Sequence, residues 1–205
     1  MATVSGLFDN YDDASRAVNE LETAGIPRDD ISIVANNSDE WYGRDRADVD
    51  ESGAAEGAGT GAGLGALAGG AGGLLTGLGI MAIPGVGPVV AAGWLAATAV
   101  GAIAGAAVGG AAGGIIGAMT DAGVSEEDAH VYAEGVRRGG TLVTAKVNEA
   151  HASIAEDILQ RSRRVDLADR RRSYSESGWD RFDESATPYT PEQAREERNR
   201  YTNVL

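Results

Sequence analysis

Residues 57–120 read GAGTGAGLGALAGGAGGLLTGLGIMAIPGVGPVVAAGWLAATAVGAIAGAAVGGAAGGIIGAMT, and this stretch decides how the chain is divided. It holds no charged residue, in a chain that is 23% charged, and 21 of its 64 residues are glycine. Gly57, Gly61, Gly65, Gly69, Gly73 and Gly77 recur at steps of four. Beyond the Ile83-Pro84-Gly85-Val86-Gly87-Pro88 turn signal, Gly93, Ala97, Gly101, Gly105, Gly109, Gly113 and Gly117 do the same. The pairs 57 with 113, 61 with 109, 65 with 105 and 77 with 93 each sum to 170. Folded about Gly85, the two rows of small residues meet along their length. A step of four puts glycines on one helix face and lets two backbones approach closely. The pattern predicts an antiparallel glycine-zipper helical hairpin over 57–120, turning at Pro84–Pro88.

The surroundings of such a hairpin follow from cost. In water each glycine in a helix interior costs about 1 kcal/mol relative to alanine. In a bilayer an unsatisfied backbone group costs more than that, so helix is enforced. Leu64 to Ile83 and Val89 to Val108 are each 20 residues, about the length that spans a bilayer. The preferred expectation is therefore an inner-membrane hairpin with cytoplasmic N- and C-termini. The alternative is a cytoplasmic, soluble homo-oligomer stacked through its zippers.

Outward from the block, charge separates the flanks. Residues 1–56 carry 14 acids and 4 bases, and residues 121–205 carry 17 and 13. Thr3–Phe8 is β-prone, and Asn10 caps a helix with the apolar stripe Ala14, Ala17, Val18 and Leu21. Gly25 ends that helix, and Ile31, Ile33 and Ala35 alternate as a strand. Residues 37–56 read as an acidic linker. After the block, Ser125 caps a helix with the stripe Ala129, Tyr132, Ala133 and Val136, and Thr141–Val147 is a β-branched strand. Asn148 caps a helix carrying Ala155, Ile158 and Leu159, and Val165-Asp166-Leu167 suits a short closing strand. The order βαβ then αβαβ predicts an α+β, ferredoxin-like split domain over 1–36 and 121–167, with helices on one face of the sheet. Residues 168–205 are polar and aperiodic, so a disordered tail is expected. Trp179–Asp183 and the helix start Thr190-Pro191 are candidates for a short docking motif within it.

Composition excludes several functions. A formal charge of −14 and a pI near 4.5 argue against a nucleic-acid partner. Cysteine is absent, so thiolate chemistry is out. Gly61-x-Gly63-x-x-Ala66 matches a loose dinucleotide fingerprint but follows a linker instead of a strand. His130 and His151 sit on separate expected helices. No catalytic, cofactor-binding or metal residue is assigned, and no small-molecule substrate is identified.

Val4-Ser5-Gly6-Leu7-Phe8 with Ala14, Ala17-Val18, Leu21 and Gly25-Ile26 resembles the start of the bacterial general stress protein 17M-like domain. Glu126 through Tyr132, Gly135 and Gly139-Gly140-Thr141-Leu142-Val143 resemble its second half. The glycine-rich insertion and the tail residues Gly178-Trp179, Phe182-Asp183, Pro188-Tyr189-Thr190 and Arg198 are similar to stress-induced relatives, some described as low-temperature-induced. The resemblance implies a non-enzymatic general stress protein. A ligand-sensing ferredoxin-like module is a more distant alternative.

Overall fold

A computed structural model describes residues 1–42, 79–98 and 114–202. In chain order these form β1 (Ala2–Phe8), α1 (Tyr11–Thr23), β2 (Ile31–Asn36), β3 (Gly79–Ile83), β4 (Gly87–Ala92), α2 (Gly114–Asp121), α3 (Glu126–Arg137), β5 (Thr141–Val147), α4 (Glu149–Arg161), α5 (Leu167–Glu176) and α6 (Pro191–Thr202). The strands make one antiparallel sheet in the order β1-β5-β2-β4-β3.

The helix starts are where the caps place them. Asn10, Ser125 and Asn148 each accept a hydrogen bond from the backbone N–H three residues on, which supplies one of the donors a helix start leaves open. β5 lies between β1 and β2, with Ser5 opposite Thr144 and Ser32 opposite Thr144, so segments far apart in the chain share one sheet. Alternation along the strands then makes two cores. Val4, Phe8, Ile31, Ile33, Val143 and Ala145 pack on the stripes of α1 and α4. Leu7, Val34, Val89, Leu142 and Ile115 pack on α3 with Ala129, Ala133 and Val136. Helices therefore cover both faces of the sheet, where the sequence pattern predicts one.

Further expectations are corrected. The segment around Ile83–Pro88 turns as expected, with Val86 N–H donating to Ile83 O at 3.0 Å, but it joins two strands and no helices. Val89–Ala92 pair with Ile33–Asn36, so this hairpin extends the sheet. Periodicity cannot separate a short apolar run in a strand from one in a helix, and here β-branched Val89 and Val90 beside Pro and Gly favour the strand. Gly93, a ladder position, ends β4 with φ +90°, and Gly117 lies in α2. The ladder positions Gly57, Gly61, Gly65, Gly69, Gly73, Gly77, Gly101, Gly105, Gly109 and Gly113 lie outside the described residues. Because strands occupy 79–83 and 89–92, neither 20-residue membrane span forms as drawn. Among the described residues no helix is long and apolar enough to cross a membrane.

The expected closing strand at Val165–Leu167 is also absent. Val165 N–H donates to Leu7 O at 2.8 Å, and Asp166 immediately caps α5 through Asp169 N–H. One bond beside β1 is all that remains of the ferredoxin-like fourth strand. The acidic linker does not begin at 37 either. Asn37 and Tyr42 exchange two hydrogen bonds, Trp41 Nε1 donates to Asn36 O at 2.8 Å, and the Trp41 ring lies 4.6 Å from that of Tyr11. Residues 43–56 lie outside the described residues.

The tail is ordered in place of the disorder its composition suggests. α5 buries Arg170 and Tyr174 on one face, and Phe182 joins the core that holds Ile83 and Val86. The backbone at Asp183–Glu184 lies so close to Gly85 that an added Cβ would sit 2.7 Å from Asp183 O. Composition missed this because the tail docks through charge and aromatic faces, with few apolar side chains.

Candidate functional site

The charged residues that gather in the interior do so where α3 meets the C-terminal helices. Glu134, on α3, has no exposed surface. Its carboxylate accepts from Arg137 Nη1 at 3.1 and 3.2 Å and from Arg138 Nε at 2.6 Å. Arg138 Nη1 donates onward to Glu197 of α6 at 3.1 Å, and its guanidinium lies 4.1 Å from the centre of the Tyr174 ring. Burial alone would lower the Arg138 pKa, but the hydrogen bond and charge of Glu134 with Glu197 reverse that and raise it. α6 itself starts on a reciprocal cap, Thr190 Oγ1 with Gln193 N–H and Gln193 Oε1 with Thr190 N–H. Ala194, Glu197, Arg198 and Tyr201 then share its inner stripe. Arg198 pairs with Asp39 at 2.8 Å, and Ala194 packs against Gly139. This clamp ties the last helix to both halves of the sheet.

Beside the clamp lies the cleft, of about 780 Å³, lined by Asp9, Asn10, Asp13, Arg163, Asp169, Arg170 and Tyr201 among others. Most of its charges are committed. Arg170 donates to Asp9 at 2.8 and 3.0 Å and stacks 3.6 Å from the Tyr201 ring centre. Asp13 binds Asn10 and Arg16, and Arg164 pairs with Glu156 at 2.6 Å. Arg163 is different. Its side chain is exposed, and its backbone takes φ +66°, a left-handed conformation usually filled by glycine. That geometry closes α4, with Arg164 N–H reaching Leu159 O at 3.2 Å, and costs on the order of 1 kcal/mol.

A second polar feature runs across the sheet under α3. Ser5, Thr144 and Ser32 are opposite one another on three neighbouring strands and all are buried. Ser32 Oγ donates to Ala92 O and accepts from Leu95 N–H. Tyr132 OH donates to Ser5 O at 3.2 Å, and Lys146 sits 3.8 Å from the Trp94 ring centre. No local pattern marks this row, because its members come from three separate strands. Burial pushes the Tyr132 phenol from its ordinary 10.0 up to about 12. The folded state then holds its proton more tightly than the unfolded chain. This stabilisation is complete below pH 10 and disappears as pH rises towards 12, amounting to about 2–3 kcal/mol. Urea denaturation at pH 9, 10, 11 and 12 should show Tyr132→Phe losing part of the wild-type fall in stability; an unchanged slope would remove Tyr132 from this role.

The two histidines do not meet. His130 lies on α3, against one face of the sheet, beside Glu126 at 3.8 Å. His151 lies on α4, against the other face, with its Nδ1 2.9 Å from Asn148 Oδ1. Of the helix-packing glycines assigned from the ladder, Gly93 and Gly117 lie among the described residues: Gly93 approaches Ile31 of β2, and Gly117 is half-buried on α2.

The βαβ start is the part of the chain that a known family model matches. Residues 3–84 match the heat-induced stress protein YflT domain. The resemblance of the N-terminal segment to a bacterial general stress protein family therefore stands, and the match does not reach Glu126–Val143 or the tail. The YflT match takes in β1, α1, β2 and β3 and stops in the turn after β3, under half of the 205 residues. Glu134, Arg138, Arg170 and the C-terminal helices all lie beyond it. No curated protein and no solved structure matches the chain.

Proposed function

We propose that this chain is a non-enzymatic general stress protein acting through its surfaces. The observation that carries the reading is the stress-domain match over 3–84. The state of the interior charges supports it. Glu134 accepts three bonds from two arginines, and Arg138 and Arg170 are each shared between a carboxylate and an aromatic face, which is a structural use of charge. A general base needs a carboxylate or imidazole within reach of a substrate proton, and these groups are already committed. Of the two locations expected, we carry forward the cytoplasmic one, because strands occupy the inner ends of both proposed spans.

Deleting the gene should lower survival after heat or cold shock, and the full chain supplied in trans should restore it. Equal survival of deletion and parent strains across heat, cold and osmotic shock would sink the reading. A ligand-sensing role is the second reading, favoured by the cleft and by the exposed Arg163 on its wall. It requires that phosphate or a small dicarboxylate raise the melting temperature of the wild type but not of Arg163→Ala.

A further inference from the structure

The two edges of the sheet are unlike. The β1 edge is covered by the segment after α4, through Val165 N–H to Leu7 O and Arg164 over Gly6. The β3 edge carries none of the devices that usually guard an open edge, namely charge, proline or a bulge. Gly79, Ile80 and Ala82 are exposed, Ile80 at 59%, and among the described residues no strand pairs with the outer side of β3.

The register shows which backbone groups face outward. Ala82 lies opposite Pro88, which has no N–H, and Pro88 O is turned the other way, accepting from Asn37 N–H at 2.9 Å. Ala82 and Pro88 are thus a non-hydrogen-bonded pair, and the bonds to β4 come from Gly79, Met81 and Ile83. In an antiparallel ladder this alternation leaves Ile80 and Ala82 with N–H and C=O pointing away from β4.

We propose that a second copy of this chain pairs antiparallel on the β3 edge, joining two five-stranded sheets about a two-fold axis at Met81. Ile80 then exchanges both backbone bonds with Ala82 of the other copy, and Ala82 with its Ile80. Met81 faces Met81 as a non-hydrogen-bonded pair. The edge is self-complementary, as a two-fold interface requires. Charge also selects this occupant. Two chains of −14 repel over their acidic flanks, and β3 lies within the uncharged block 57–120. The glycine-rich residues 57–78 of the same chain are poor competitors, because glycine is depleted in strands and supplies no side chain to cover Ile80. This assembly is independent of the stress role and does not need the glycine ladder.

The test uses the full chain at tens of micromolar in light scattering after size exclusion. The wild type should have twice the 21.0 kDa chain mass. Ile80→Lys and Ala82→Pro should each give the single-chain mass with the far-UV circular dichroism of the wild type, since Ile80 is exposed and Ala82 makes no bond to β4. The chain lacks cysteine, so Met81→Cys should form a disulfide-linked dimer under mild oxidation, a non-hydrogen-bonded pair having a Cα separation of about 4.5 Å, within disulfide range. Ile154→Cys, on the exposed side of α4, should not. A wild-type monomer, as residues 57–78 folding back over β3 would give, overturns the proposal. So does a dimer that both edge variants leave intact, as pairing through the glycine ladder would, or a Met81→Cys dimer that fails to cross-link.

Discussion

Replacing Gly93 by alanine is expected to destabilise the protein by about 3 kcal/mol. The residue closes β4 with φ +90°, and a Cβ there would lie 2.2 Å from Ile31 O of β2. A side chain in the left-handed region costs roughly 1–2 kcal/mol, and forcing the strands apart adds about 1–3 kcal/mol. The helical ladder makes the opposite prediction. There position 93 is equivalent to Ala97, and alanine in a helix interior would add about 1 kcal/mol of stability. The sign of one urea-denaturation measurement therefore separates strand from zipper at this position. Gly79→Ala is the control, because nothing lies within 4 Å of its added Cβ and its φ is not positive.

The second large effect is at Glu134. Glu134→Gln keeps the shape and removes the charge that Arg137 and Arg138 share, leaving two guanidiniums at a site with no exposed carboxylate surface. Breaking a buried pair from one side costs about 3–5 kcal/mol, and the same loss is expected here. The damage should extend to α6, because Arg138 also holds Glu197 and underlies Tyr174. Fluorescence of Trp179, whose ring lies 5.6 Å from that of Tyr174, should report loosening of this region below the main urea transition. Replacing Glu134 and Arg138 together by leucine and methionine should recover part of the stability, since no unpaired charge is then left between them. Equal stability of Glu134→Gln and wild type would show that the clamp contributes nothing.

The local grammar of the flanks was legible. Asn10, Ser125 and Asn148 cap the helices they were expected to cap, and Thr141–Val147 is a strand. The stripe Ala14, Ala17, Val18 and Leu21 is buried as a unit. The tail was legible at its helix start, where Thr190 and Pro191 carry local signals, and at Trp179–Asp183, whose Phe182 docks into the core. The rest of its docking surface was not, because Arg170, Tyr174, Glu197 and Tyr201 find partners as far away as Asp9 and Arg138, and no periodicity records such pairings. The candidate cleft is assembled in the same way, from residues at 9–13, 163–170 and 201.

By itself, then, the sequence determined the places where the chain changes character. It set the uncharged block between two acidic flanks, the turn at Ile83–Pro88, and the capped helices, each through interactions within four or five residues. Tertiary structure decided what the apolar turn arms became. Val89–Ala92 carry no period of their own, and the open side of β2 offered a row of backbone donors and acceptors together with a buried face. Pairing there satisfies the backbone and buries Val89, Val90 and Ala91 at once, a gain that exists only after β1, β5 and β2 have met. The same holds for the polar tail. Its helices are short and charged, and they hold their place because Glu134, Arg138 and Asp9 present buried or half-buried partners at the positions where they dock.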